Sequence, residues 1–494
     1  GGGLLDCPAV TTQAEYQEKR WRALILLAAA QFVVVLDASI VNVALPTIGK
    51  ELDFSQDNLS WIVNAYVLTF GGFLLLGGRT ADLLGRRRVF MAGLLLVAVA
   101  SLAAGFAVTE GQLIAARAAQ GLGAAIISPA ALSIVTTIFS DGAERNKALG
   151  VWGAVAGSGG AAGVLLGGVL TDGLGWEWVL WVNVPVSLIA FALAPRLIAE
   201  SRAAGETRAF DVAGAVTVTG ALSILVYAVV DAESAGWGSG KTIGLLALSA
   251  VLFAAFVAIE LRARKPLVPF SIFRIRTLTG ANVVGLLVGA SLFSMFYFIS
   301  LYMQQVLGYS AIHAGLSYLP LALTIMASAG IASGLVTKVG YKPVLAIGLL
   351  FIVAGLTWFS RVSVGGGFTT DILGPSLLAA AGLGFAFVTT TIAAVAGVPE
   401  HESGLASGLI NTSQQIGGAL GLAVLSSLAT SHTSSVLADG SGLEQALTDG
   451  FQVAFLGGAA IAAIGFVLTL VLIKGSDSRA HVEIGKAEAE GAEA

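Results

Sequence analysis

Long apolar runs separated by short polar stretches organise this chain of 494 residues. A bilayer's hydrocarbon core, about 30 Å thick, is crossed by roughly 20 apolar residues of α-helix. Runs of that length predict spans at 23–45, 59–78, 88–107, 112–139, 148–171 and 178–198. Two more fall at 212–230 and 242–260, and six at 278–304, 314–337, 343–360, 372–396, 405–430 and 450–473. The pattern therefore predicts an all-α polytopic membrane protein with fourteen transmembrane helices.

Charge placement orients them. With both termini in the cytoplasm, the cytoplasmic segments hold 22 of the 26 Lys and Arg residues, the outer loops hold three, and Arg117 lies within a span. That bias obeys the positive-inside rule and calls for an even span count. The first apolar run is too long and uniform for a cleaved signal-peptide core, so it reads as a retained first span.

The chain also echoes itself. GGRTADLLGRRRVF (Gly77 to Phe90) follows the second span, and a degraded copy, GLVTKVGYKP (Gly334 to Pro343), follows the tenth. The predicted plan is a tail (1–22), a six-helix bundle (23–198), a linker with two extra spans (199–277), a second six-helix bundle (278–473) and a tail (474–494). The basic stretch RARKPLVPFSIFRIR (Arg262 to Arg276) leads into the second bundle from the cytoplasmic side. Two related six-helix halves are the plan of alternating-access transporters.

Composition agrees. The chain is 56% hydrophobic and 11% charged, against roughly a quarter charged in soluble proteins. Its single cysteine, Cys7, cannot form an internal disulfide. His313, His401, His432 and His481 fall in loops, span ends or the tail without ligand spacing, so no metal site is expected. The closing GKAEAEGAEA reads as solvated tail.

Three stretches carry a family likeness. LDASIVNVALP (Leu36 to Pro46), GRTADLLGRRR (Gly78 to Arg88) and GSGGAAGVLLGG (Gly157 to Gly168) resemble, respectively, the first-helix signature, the interhelical loop and the helix-five antiporter motif of the 14-spanner drug:proton antiporters of the major facilitator superfamily. Softer matches lie in LYMQQVLGYSAIHAGLSYLP (Leu301 to Pro320) and GLASGLINTSQQIGGALG (Gly404 to Gly421). The chain departs from the family pattern at Val164, where proline is usual, at Gln414, where many relatives carry arginine, and at Glu177, which replaces the arginine between two tryptophans.

The residues themselves point to chemistry. Asp37 is the only carboxylate well inside a predicted span. An aspartate at a helix centre costs about 2.5–3.5 kcal/mol on insertion scales, and such residues are functional by default. Desolvation favours a neutral acid, so a carboxyl group there can take a proton and release it on hydration or on meeting a cation. A structural acid bonded to backbone or to Asn42 is the plainer reading. Arg117 is the only cation well inside a span, and counting 1.5 Å per residue from the span ends puts it at the depth of Asp37. A pair is expected, either as a proton-coupling device or as a fixed strut. Gln120 shares the Arg117 face.

In GRTADLLGRRR, Gly78 and Gly85 permit tight geometry, and Asp82 can cap a helix or pair with Arg86, Arg87 or Arg88, making either a conformational latch or only a topogenic loop. Gly153, Gly157, Gly160 and Gly167 share one face of helix five, while Gly159, Gly163 and Gly167 form an offset row beside Gly168. Small residues at that spacing let helices approach, for packing or for gating. The aromatic run around Phe296 and Tyr297 could line a cavity, or could merely pack or face lipid. Gln31, Asn42, Asn64, Tyr66, Asn411 and Gln415 are candidate polar contacts.

The resemblance implies a proton-coupled antiporter, not an enzyme, acting as a monomer in the bacterial cytoplasmic membrane. It would export amphipathic drugs or antibiotics, using the proton gradient and no cofactor; the residues themselves, with Asp37 the one acid well inside the spans, predict neutral or monocationic substrates over dications. No nucleotide-binding loop occurs, and nothing points to nucleic acid. A nutrient or metabolite symporter, a facilitator or a lipid flippase would suit the same fold. A membrane enzyme would need clustered carboxylates or a nucleophile–base pair, which the spans lack.

Overall fold

A computed structural model describes residues 13–54, 59, 61–139, 142–201, 211–263, 266–399, 402–479 and 482–483. Fourteen helices among them are long and apolar enough to cross a membrane, counting one bent helix as a single span. They are α1 (Gln13–Glu51), α2 (Trp61–Leu84), α3 (Arg86–Gly105), α4 (Glu110–Ile138), α5 (Ala143–Gly173) and α6 (Asn183–Leu197), the last spanning together with the short helix Glu177–Trp181 that leads into it. The inserted pair is α7 (Val212–Ala235) and α8 (Gly240–Glu260). The rest are α9 (Arg276–Leu301), α10 (Leu319–Val339), α11 (Tyr341–Phe359), α12 (Leu373–Val395), α13 (Ser403–Ala438) and α14 (Leu443–Leu472).

A spanning segment must satisfy its backbone groups internally, which selects helices. Their free ends take local caps: Thr109 accepts from Gln112 N, Asp211 from Gly214 N and Ser239 from Thr242 N. At 1.5 Å per residue, α1 with 39 residues and α13 with 36 overrun a core of about 30 Å. The ends expected at 45 and 430 fall short because hydropathy drops there while the helix runs on, in α1 past Pro46.

The two bundles are built alike. In the first, α1 packs on α4, α5 and α6, α4 on α2 and α3, and α3 on α6. In the second, α9 packs on α12, α13 and α14, α12 on α10 and α11, and α11 on α14. Each pairing has its counterpart eight helices on. Between bundles, α2 and α4 meet α13, while α5 meets α10 and α12. The inserted α7 lies against α2 and α13 and carries α8 on its outer side.

One expected loop is a correction. Gly77 to Leu84 continue α2 and Arg86 begins α3, so the basic motif is helical on both sides of Gly85. With φ of 110°, Gly85 alone makes the turn, in a region that favours glycine. Gly340, φ 84°, does the same between α10 and α11.

Candidate functional site

Asp37 enters the interior of the first bundle from α1 and is 2% exposed. α4 presents Arg117 and Gln120, three residues apart and so on one face. Arg117 Nη1 donates to Asp37 Oδ2 at 2.8 Å and to Gln120 Oε1 at 3.1 Å. Its Nε donates to the Ile62 carbonyl at 3.0 Å and its Nη2 to the Asp37 carbonyl at 3.3 Å. The guanidinium sits 4.5 Å from the centre of the Tyr66 ring, and the Tyr66 hydroxyl donates to the Val34 carbonyl at 2.8 Å. A planar fork can make all these contacts at once; a lysine could not.

The other carboxylate oxygen is also occupied. Gln120 Nε2 donates to Asp37 Oδ1 at 3.1 Å and to Ser101 Oγ at 2.8 Å. Asn183 Nδ2, from the start of α6, donates to the same Asp37 Oδ1 at 2.5 Å. Asn42 is not a partner: five residues along an α-helix is about 140° around it, and Asn42 is exposed. Removing one member of a buried ion pair costs about 3–5 kcal/mol, because the other charge is left uncompensated. Desolvation opposes the anion here, whereas the guanidinium and two amides favour it. Such opposed influences let a carboxyl group change proton occupancy when its surroundings change.

A second charged site closes the end of the molecule where α2 stops. Asp82, fully buried, accepts at Oδ1 from Arg86 Nε (3.2 Å) and Nη2 (3.1 Å). It also accepts from the backbone N–H groups of Gly404 (3.2 Å) and Leu405 (3.1 Å). Those two amides open α13, so an acid of one bundle caps a helix of the other, where the helix dipole favours an anion. Gly78 permits the approach, since a Cβ there would stand 2.5 Å from the Gly404 carbonyl oxygen. Of the three following arginines only Arg86 joins Asp82. Arg87 and Arg88 turn instead to Glu200, with Nε–Oε2 distances of 3.7 and 3.5 Å.

The echo in the second bundle sits in the corresponding place. Three residues before Gly340, Thr337 Oγ1 accepts from Asn146 Nδ2 at 2.9 Å in the first turn of α5. There the cross-bundle bond is neutral. Ser133 and Ser403 hydroxyls, 2.9 Å apart, and Arg145 donating to the Val395 carbonyl at 3.3 Å add to this closure.

Residues 27–422 match the family model described as Major Facilitator Superfamily. The chain belongs to the Major Facilitator Superfamily. It is 39% identical over 476 residues to the puromycin resistance protein pur8 of Streptomyces alboniger, covering 95% of this chain and 94% of that one. It is 40% identical over 454 residues to the cephamycin export protein CmcT of Amycolatopsis lactamdurans, covering 91% and 92%. Its fold matches that of the proton:xylose symporter XylE with a TM-score of 0.63 at 13% identity, over 93% and 96% of the two chains. This superfamily member is a multi-pass membrane transporter and not an enzyme.

In this transporter the glycines of α5 do not form the single seam expected of 153, 157, 160 and 167. Gly153 faces Val388 of α12, and Gly160 has nothing within 4 Å of where its Cβ would lie. The side-chain position of Gly157 lies outside the described residues. The offset row is the packed one: Cβ atoms at Gly159, Gly163 and Gly167 would meet Val35, Ser39 and Ile40 of α1, while Gly168 faces Ile312. α5 bends by 43° between Ala143–Gly160 and Ala162–Gly173 although Val164 replaces proline; clustered glycines suffice for a bend.

The cavity candidates separate. Tyr66 and Gln120 belong to the Asp37 site. Asn411 receives Ser128 Oγ at 3.4 Å across the bundle interface. Phe296 stacks on Tyr318, centroids 5.4 Å apart, whereas Tyr297 is exposed and Asn64 and Gln415 are half-buried. Gln31 is buried with its Oε1 unpartnered. Among the described residues no group of His, Cys, Asp or Glu could hold a metal ion.

Sequence reasoning missed Asn183 and Ser101. The signal for Asn183 was present, a lone amide in WVNVP within an apolar span, and the criterion applied to Asp37 would have found it. It also passed over Glu260, buried at the end of α8, which accepts from Leu267 N at 3.1 Å and Val268 N at 3.4 Å. That acid ties the inserted pair to the lead into α9.

Proposed function

We propose that this transporter is a proton-coupled antiporter that exports amphipathic drugs or antibiotics across the bacterial cytoplasmic membrane by alternating access, with both termini in the cytoplasm. The observation that carries the reading is the buried Asp37–Arg117 pair, a carboxylate held by one cation and two amides. Relatives named for puromycin resistance and cephamycin export support the substrate class. In the cycle, the ionised Asp37 is held while the Asp82 end is shut. Opening the far end hydrates the site and admits a proton. The neutral acid releases its hold on Arg117, which keeps its bonds to the Ile62 carbonyl and Gln120. The Asp82 contacts must then part for the cytoplasmic side to open, and the proton leaves as substrate enters.

The test is Asp37→Asn, nearly isosteric and without a titrating proton. The variant should fold, judged by monodisperse elution. It should lose substrate-induced proton release in detergent and lose uphill export in proteoliposomes with an imposed pH gradient. Proton release equal to the unsubstituted protein's would remove Asp37 as the carrier. Substrate accumulating on the alkaline side, toward which the protons flow, would identify a symporter instead.

A further inference from the structure

Protonating Asp37 creates a donor that must find an acceptor among the side chains once the site is closed over it again. Oδ2 faces Arg117, which has no acceptor to offer. Beside Oδ1 stand two amides. The carbonyl oxygen of Gln120 is engaged by Arg117, and its nitrogen also serves Ser101. Asn183 differs: its Nδ2 donates to Asp37 Oδ1, while its own Oδ1 is buried without a partner. Asn183 is itself fully buried. Orphaned buried acceptors are rare, and each calls for an explanation.

We infer that Asn183 is a positioning residue that follows the protonation state of Asp37 by turning its side-chain amide over. This rests on the reading of Asp37 as the proton carrier. With the acid ionised, Nδ2 donates to Oδ1 of Asp37 and the amide oxygen is left over. When a proton from solvent forms an O–H bond on that carboxyl oxygen, a half-turn about the terminal torsion presents the amide oxygen as acceptor and leaves the nitrogen over. Nothing else in the bonding of that oxygen needs to change, since Gln120 still donates to it. Each state has one hydrogen bond to Asp37 and one unused amide group, so the penalty for a missing partner is of the same order in both and favours neither. A fixed donor such as a backbone N–H would serve the anion only. The titratable groups acting on Asp37 from the surrounding helices are Arg117 of α4 and Tyr66 of α2; α3 and α6 present the uncharged Ser101 and Asn183.

The experiment is infrared difference spectroscopy of the purified full-length transporter between alkaline and acid pH, with Asn side-chain carbonyls carrying carbon-13. Acidification should produce a protonated-carboxyl band that Asp37→Asn lacks. In the same spectrum an asparagine carbonyl band should move to lower wavenumber, because that oxygen gains a hydrogen bond. Asp37→Asn and Asn183→Gln should each lack the asparagine shift. Asn183→Leu should keep the carboxyl band at higher wavenumber, its O–H having lost its acceptor. Its half-titration should move by about one pH unit to higher pH, since the bond lost from the anion is the stronger one. Asn183→Gln, which keeps a two-faced amide, should restore both. If Asp37→Asn retains the carboxyl band, the proton-carrier reading fails and this inference with it. If only Asp37→Asn removes the band while the labelled asparagine stays still, the amide switch alone is overturned. The labelled unsubstituted protein distinguishes these outcomes even where Asn183→Leu does not fold.

Discussion

Replacing Asp82 by asparagine should open the end of the molecule that it closes. In the structure Asp82 joins α2 to the first amides of α13 and holds the buried guanidinium of Arg86. Asparagine keeps one acceptor oxygen, so one backbone bond and the ion pair are lost, and an NH₂ group is turned toward donors. A hydrogen bond to a charged group contributes about 1.5–3 kcal/mol. The ion pair lies within the first bundle and is lost from both states, but one charge-assisted bond to α13 is gone and the other weakened, so the closed arrangement should weaken by about 3 kcal/mol relative to an open one, on the order of 100-fold in the equilibrium. The assay uses Ser133 and Ser403, whose hydroxyls are 2.9 Å apart across the same interface. Ser133→Cys with Ser403→Cys, in a chain whose single cysteine Cys7 is changed to serine, should cross-link rapidly under mild oxidation. Adding Asp82→Asn should slow cross-linking by one to two orders of magnitude, while Arg88→Gln, at an exposed cation that faces Glu200, should leave it unchanged. Equal rates with and without Asp82→Asn would show that the carboxylate does not hold the bundles together, and the latch would reduce to a topogenic signal.

Three further outcomes are expected. Gly163→Ala should lower thermal stability by about 1–3 kcal/mol, the usual cost of overpacking, because its methyl would overlap Ser39 of α1, whereas Gly160→Ala, with open space around it, should be neutral in the same melting assay. Monocationic and neutral amphiphiles should be exported in preference to dications of matched bulk, since the second bundle's six predicted spans contain no Asp, Glu, Lys or Arg and a second unpaired charge is costly to bury; equal export of dications in a resistance panel would mean that another acid, such as Glu402 or Asp231, reaches the substrate. Fusion reporters near Glu444 should lie outside and those near Arg87 and Lys474 inside, with Glu233 outside and Arg264 (itself beyond the described residues, as is Asp57, also expected outside) inside; an external Arg264 would contradict the proposed orientation of the inserted pair.

The sequence by itself determined the class, the number of spans and the two-bundle plan with its inserted pair. Those follow from a one-dimensional quantity, the length of apolar chain needed to cross hydrocarbon, and from a repeat that survives as GGRTADLLGRRR and GLVTKVGYKP. It also singled out Asp37, Arg117 and Asp82, because a charge in or beside an apolar run is conspicuous without coordinates. Partner choice was decided only by the tertiary structure. Each residue step turns a helix by 100°, so a modest uncertainty in how a helix is rotated reassigns every contact. That is why Asn183 rather than Asn42 meets Asp37, why Arg87 and Arg88 face Glu200 while Arg86 alone stays with Asp82, and why the packed glycine row of α5 is the one containing Gly159 and Gly163. Span ends were blurred for a related reason: an α-helix continues past the membrane wherever its own hydrogen bonds are satisfied, and hydropathy records only where the lipid stops.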